Sequence, residues 1–228
     1  MTPEETSWWN WDHAAAAFPL LIDGFKITLL ATVLGTLIAL VLGLIVAIIR
    51  RSAPVIINAP VTWVVEFIRM TPLVVQLVFA NLVLSPYIDS TLAIGIWVLG
   101  IHYTTYMAEV YRAGIDSVPT GQWEAATALN LSRAQTLRRI VLPQAFVAMI
   151  PPWGNLLIEL LKATSLVSLI TLSDLAFKAQ QLNQNTLRTV EIFGSVLLVY
   201  LAMSLLITAG MRSLERRASR GLRRGKVA

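Results

Sequence analysis

The chain of 228 residues contains no cysteine and only 2 histidines. The absence of thiols excludes disulfides, iron–sulfur clusters and thiolate metal sites. His13 and His102 are too isolated to assemble a metal centre. Charge is scarce too: Asp, Glu, Lys and Arg make up 14% of the chain, against about 25% in ordinary soluble domains. The cluster of His, Asp, Glu or Cys at one membrane depth that a membrane enzyme would need is missing. So is the aromatic–basic pattern of nucleic-acid recognition. The excess of 18 basic over 13 acidic residues therefore needs a different explanation.

Hydrophobic sequence, 56% of the total, comes in long blocks. Residues 27–49 form a run of 23 without a formal charge, residues 70–88, 90–108 and 140–158 runs of 19, and residues 192–211 one of 20. A helix needs about 20 such residues to cross a ~30 Å hydrocarbon core. A chain of this length has too little polar sequence to cover five such helices in water, so it is read as an all-α integral membrane protein. Spans are expected near 24–50, 62–87, 90–112, 141–162 and 190–212. With five spans and an external N-terminus, 13 basic residues fall on the cytoplasmic face: Arg50 and Arg51, Arg112, Arg133, Arg138 and Arg139, and seven in a tail at 213–228 and its approach. The other face receives Lys26, Lys178 and Arg188, as the positive-inside rule requires. The tail is read as an orientation signal in contact with anionic lipid head groups. The first residues lack the basic start and cleavage site of a signal peptide; Trp8, Trp9 and Trp11 suit the outer membrane–water boundary.

Within the first span Ala31, Gly35, Ala39, Gly43 and Ala47 place a small residue at every fourth position. Such a line lets helix backbones approach closely in lipid, with a partner in this chain or in a second subunit. In the second span Glu66 and Arg69 share a helix face and can neutralise each other. Pro72 should kink or break the helix and free the carbonyl one turn back. His102, beside Tyr103, is read as a hydrogen-bonded packing residue, with a proton relay as the other reading. Glu159 and Lys162, three apart near the end of the fourth span, are either a self-paired couple or functional charges. Ser173-Asp174 reads as a helix start, followed by an outer loop rich in Gln and Asn.

Four motifs stand in order over residues 66–168. The first is Glu66-Phe-Ile-Arg69-Met-Thr71-Pro72-Leu-Val-Val-Gln76. The second runs through Glu109, Tyr111, Arg112 and Gly114 to Pro119, Gly121 and Gln122. The third opens with Glu124, Ala125 and Ala126, holds Asn130 after three intervening residues, and closes with Ile140, Leu142 and Pro143. The fourth is Glu159-Leu-Leu-Lys162-Ala-Thr164-Ser165-Leu. Together they resemble the permease subunits of polar amino acid ABC importers. The third is similar to that family's EAA loop, with Asn130 at the usual Gly; Met70 and Ala163 replace the family's Gly and Asp. The wording of residues 102–130 is most similar to permeases for ectoine and hydroxyectoine.

The resemblance implies a type I importer permease fold with five core helices in a bacterial inner membrane, and a cytoplasmic loop at 113–143 carrying a coupling helix. Glu124, Ala125, Ala126, Asn130, Leu142 and Pro143 would then dock on an ABC ATPase dimer. Glu66, Arg69, Thr71, Gln76, Tyr103, Glu109, Glu159, Lys162, Thr164 and Ser165 would be candidates for the substrate pathway. Further partners implied are a second permease, identical or paralogous, and an extracytoplasmic substrate-binding protein. No cofactor is expected on this chain: Gly221-Leu-Arg-Arg-Gly225-Lys226 has the wrong spacing for a phosphate loop and lacks its Ser or Thr, which leaves ATP and Mg²⁺ to the partner. A secondary transporter, or a receptor or scaffold subunit, is the alternative.

Overall fold

The computed structural model describes residues 9–224; Trp8 of the aromatic segment and Lys226 of the basic tail lie outside them. The described elements are α1 Trp11–Ser52, α2 Val55–Met70, α3 Leu73–Leu84, α4 Thr91–Asp116, α5 Thr120–Ala128, α6 Arg133–Thr136, α7 Leu142–Ala163, α8 Leu175–Thr186 and α9 Thr189–Arg224. A π-helical turn, Leu137–Val141, leads into α7, and a 3₁₀ segment, Thr164–Ile170, leaves it. No strand occurs among the described residues.

Leu21–Ser52, Arg133–Ile170 and Thr189–Arg220 are long and apolar enough to cross a membrane, and there are up to four such spans if α2 and α3 count as one. The expected second span is broken: α2 and α3 meet at 106° around Thr71 and Pro72. The expected third span corresponds to α4, 26 residues long. That gives it a rise of about 39 Å, but His102, Thr104, Thr105, Glu109 and Arg112 lower its apolarity. Its surroundings explain this. Gly95, Leu99, Gly100, His102, Tyr103, Thr104, Thr105, Met107 and Ala108 are all buried, so most of this stretch of α4 meets protein, with Trp97 and Ile101 left exposed. Helix also outruns the apolar runs. α1 begins at Trp11, and α9 continues to Arg224, so much of the basic tail is helical.

The line of small residues on α1 finds its partners within this chain. Ala31 and Ala39 are buried. Gly35 faces Leu160 and Leu99, and a Cβ at Gly43 would lie 2.8 Å from Met107 Cβ. From the other side Gly100 receives Ile38. Two apolar clusters follow α1 along its length, and a third lies beyond them. Ala17 and Leu21 pack with Leu175, Ala179, Ile192 and Val196. Ala39 joins Leu77, Leu99, Tyr103, Leu160 and Val167 in the middle. Beyond these, Val118, Val141, Ala145 and Met149 tie the start of α7 to the end of α4. The start of α1 thus lies by α8 and α9, and its end by the end of α4. By contrast Leu29, Val33, Leu37, Val41, Leu44 and Ile48 on α1, and Leu197, Leu201 and Leu205 on α9, stay exposed. Apolar surface on this scale suits hydrocarbon, where the helical backbone satisfies its own polar groups.

The expected Gln/Asn-rich loop is a helix. Asp174 caps α8, accepting from Phe177 N at 2.9 Å and Ala176 N at 3.2 Å. Thr28 Oγ1 of α1 accepts from Leu175 N at 3.1 Å. Three otherwise orphaned amides at the helix start are satisfied. Leu175 and Ala179, one turn apart, are fully buried, and that narrow apolar line suffices to dock a helix whose other faces carry Gln and Asn.

Candidate functional site

Three regions hold the residues singled out by sequence: the corner between α2 and α3 with the adjoining helix ends, the end of α7 with the 3₁₀ segment after it, and the segment from α5 to the start of α7. At the corner Pro72 has no N–H to give Ile68 O, and it holds Thr71 extended, at φ −98° and ψ 141°. The freed carbonyl is taken up by side chains. Gln76 Nε2 donates to Ile68 O at 2.8 Å, to Thr71 O at 3.2 Å and to Thr71 Oγ1 at 2.7 Å. Thr71 Oγ1 donates to Phe67 O at 3.0 Å. With its nitrogen so engaged, Gln76 presents Oε1 to His102 Nδ1, 3.1 Å away on α4. Since an amide oxygen only accepts, the proton belongs on Nδ1 of the imidazole. His102 is buried and hydrogen-bonded, as its packing reading requires. Its ring lies 5.5 Å from that of Tyr103 and 5.4 Å from that of Tyr106. Tyr106 also carries the Arg69 guanidinium 5.4 Å from its ring centre. Thr71, Gln76, Tyr103 and Arg69 thus come together around two residues, His102 and Tyr106, that sequence reasoning had not placed there.

Glu66, Arg69 and Glu109 belong to an ionic network at the ends of α1, α2 and α4. Arg50 lies 4.0 Å from Glu66 and 3.8 Å from Glu109, and Arg69 is 3.4 Å from Glu66. Arg112 pairs with Glu109 and, at 2.9 Å, with Asp116; Arg51 meets Asp116 at 3.0 Å. Each carboxylate is shared by two guanidiniums. Exposed pairs contribute about 0–1 kcal/mol apiece, so the network fixes how three helix ends meet more than it adds stability. Arg50, Arg51 and Asp116 had been read only as orienting charges or not at all; the one local signal was Asp116 four residues after Arg112.

Glu159 and Lys162 are both exposed, and no ion pair within 4.0 Å joins them. Their helix face is open, which leaves both side chains free to turn outward. Thr164 is fully buried, its hydroxyl donating to Leu161 O at 2.7 Å. Ser165 Oγ donates to Lys162 O at 2.8 Å. This group stands apart from the corner except through Tyr103, which packs in the central cluster beside Leu160 and Val167.

The α5–α7 segment is built for exposure. α5 begins after Pro119, so Glu124 stands in its second turn and the first holds no acidic residue. Glu124, Ala125 and Leu129 are exposed, and Ala126 alone on α5 is fully buried. Asn130 adopts φ 55°, the left-handed conformation that Gly or Asn tolerates best. It closes α5 with paired bonds, Asn130 N to Thr127 O at 2.9 Å and Leu131 N to Ala126 O at 3.0 Å. Ser132 and Gln135 then cap α6 reciprocally. The π turn precedes Pro143, which cannot donate to the carbonyl one turn back. Leu142 and Pro143 are exposed at its end.

Residues 39–220 match the family described as Binding-protein-dependent transport system inner membrane component. The chain is 36% identical over 213 residues to the glutamine transport system permease protein GlnP of Escherichia coli K12, covering 91% of this chain and 97% of that one. To the L-cystine transport system permease protein TcyB of Bacillus subtilis it is 34% identical, covering 92% of each. The crystal structure of an amino acid ABC transporter with histidines superposes with a TM-score of 0.85 at 32% identity, over 92% of this chain and 99% of that one. An inward-facing structure of the MetNI methionine ABC transporter shares the fold, with a TM-score of 0.75 at 20% identity over 87% and 96% of the two chains. The match across the motifs, the exposed α5–α7 segment and the helical architecture converge: this chain belongs to the inner-membrane components of binding-protein-dependent transport systems, among the amino-acid ABC importer permeases.

Proposed function

We propose that the chain crosses the inner membrane five times, with its N-terminus outside and its tail in the cytoplasm, and forms half of a pathway for a polar amino acid or amino-acid derivative. Its partners are a second permease, an ABC ATPase dimer and an extracytoplasmic binding protein. ATP and Mg²⁺ are held by the ATPase, and this chain does no chemistry of its own. The observation that carries the reading is α5: a short, capped helix with a single fully buried residue, Ala126, that offers Glu124 and Ala125 to a partner. Motion of that partner moves α5, and the Gln144 Nε2–Gln122 Oε1 bond at 3.5 Å with the packing of Trp123 against Val118 and Val141 passes it to α4 and α7. Alternating access then needs two packed states biased by ligands on opposite faces.

The solute path is proposed to pass the polar corner of Arg69, Thr71, Gln76, Tyr103 and Tyr106, and the open face carrying Glu159 and Lys162. Unpaired, these two charges suit a zwitterion, and ectoine and hydroxyectoine are the derivatives to test beside glutamine, cystine and arginine. In proteoliposomes holding the permease, ATPase and binding protein, Glu124→Arg is expected to lower ATP-driven uptake at least tenfold while ATP hydrolysis continues. Normal uptake by this variant at normal abundance overturns the coupling role. Uptake driven by an ion gradient without the ATPase establishes a secondary transporter instead.

A further inference from the structure

We infer that the cavity between the ends of α1 and α4 and the start of α7 is a binding site for an anionic glycerophospholipid of the cytoplasmic leaflet. The cavity has a volume of about 730 Å³, within the roughly 300–1,000 Å³ of sites that enclose most of a small ligand. Its walls are apolar, with Leu44, Ile48, Phe146 and Met149 among them. All its charge is at one rim, formed by Arg50, Arg51, Arg112 and Asp116; with Glu66, Arg69 and Glu109 of the same network included, four guanidiniums face three carboxylates. An acyl chain and a phosphate match this division: hydrocarbon along the walls, the anion at the rim. A basic rim between membrane helices at the cytoplasmic boundary is the arrangement that holds anionic head groups.

The network described above supports this assignment. Arg51 is bound to Asp116 alone among the described ion pairs, and its side chain remains substantially exposed. Its remaining guanidinium donors can reach a phosphate without giving up that pair, since the group carries five N–H bonds in a fixed fork. Ser52, also at the rim, adds a hydroxyl donor. Because the cavity touches Leu137 and Leu142, a lipid seated there abuts the segment proposed to receive the ATPase. Occupancy would then favour one placement of the π turn. The choice of leaflet rests on the proposed orientation, whereas the choice of an anionic lipid rests on the cavity alone.

The test is native mass spectrometry of the detergent-purified complex titrated with phosphatidylglycerol and, separately, phosphatidylcholine. Phosphatidylglycerol is expected to be retained at least tenfold more tightly. Two variants locate it: Arg51→Gln removes rim charge, and Ala47→Phe fills the cavity without touching a charge. Each is expected to weaken phosphatidylglycerol retention at least fivefold. Equal retention of the two lipids overturns the proposal, as does unchanged retention in Ala47→Phe. Displacement by millimolar inorganic phosphate also overturns it, by showing a free-anion site with no use for the acyl chain. Should the orientation prove reversed, retention is unaffected, so the two failures are distinguishable.

Discussion

At the scale of single residues, close approach and burial set the outcomes. A Cβ on Gly24 would lie 2.7 Å from Asp174 O and 2.8 Å from Leu175 Cα, backbone atoms that cannot swing aside. Gly121 in α5 has nothing within 4 Å. Alanine in place of a helical glycine gains about 0.5–1 kcal/mol from the backbone, while overpacking costs about 1–3 kcal/mol. Gly24→Ala is therefore expected to lower the melting temperature of the purified protein and Gly121→Ala to leave it unchanged or raise it. Asp174 supplies a pH effect. It lies in the connection between α7 and α9, and burial raises its carboxyl from the ordinary 3.8 to about 6. The folded protein thus holds this proton more tightly than the unfolded chain. The resulting stabilisation is complete below about pH 3.8 and is lost as pH rises through 6, with a magnitude on the order of 3 kcal/mol. Asn is as good a helix cap as Asp, so Asp174→Asn is expected to retain α8 and to be more stable than the parent at pH 7.5. A melting series from pH 5 to 7.5 with the same slope in parent and variant would contradict this.

Among elements, the α2–α3 corner shows what could and could not be read beforehand. Pro72 announces the break and the freed carbonyl, because its missing N–H is a local property. Asn130 likewise announces a left-handed residue, now seen to close α5. What the sequence did not offer was the group that repairs the corner. Gln76 works through His102, 26 residues away, and no local pattern pairs them. Of α8 only the start was legible, in Asp174: the part played by Thr28, 147 residues earlier, has no local signal, and the Gln/Asn composition suggests a loop when read alone. Gln76→Leu would leave Thr71 O and His102 Nδ1 without their partner and Ile68 O with Thr71 Oγ1 alone. Leaving a buried polar group unsatisfied costs about 1–3 kcal/mol. A melting temperature lowered by several degrees is expected, and an unchanged one would show that water replaces the amide.

For the whole molecule, the line from Ala31 to Ala47 and the long apolar runs made the membrane class and a close helix seam legible, while the identity of the seam's partner needed coordinates. The apolar count alone misjudges α4, because a helix enclosed by its neighbours can carry His, Thr and Tyr that a lipid-facing one cannot. Arg51 beside Asp116 puts the ends of α1 and α4 at one face, and Ala17 beside Ala179 puts α8 at the other. A chain without cysteine makes this directly measurable. In intact cells Asn185→Cys is expected to react with a membrane-impermeant maleimide, and Ser52→Cys to react only after the membrane is opened. The reverse pattern would invert the proposed orientation.

The bent second span also constrains how the protein is made. Its halves, 16 and 12 residues long, measure about 24 and 18 Å at the helical rise, each short of a ~30 Å bilayer core. Neither half is a competent stop on its own as the nascent chain leaves the ribosome. The amide that closes the bend finds its imidazole only once residue 102 has been synthesised, so in the proposed five-span topology α2, α3 and α4 are expected to settle into lipid as one unit during biogenesis.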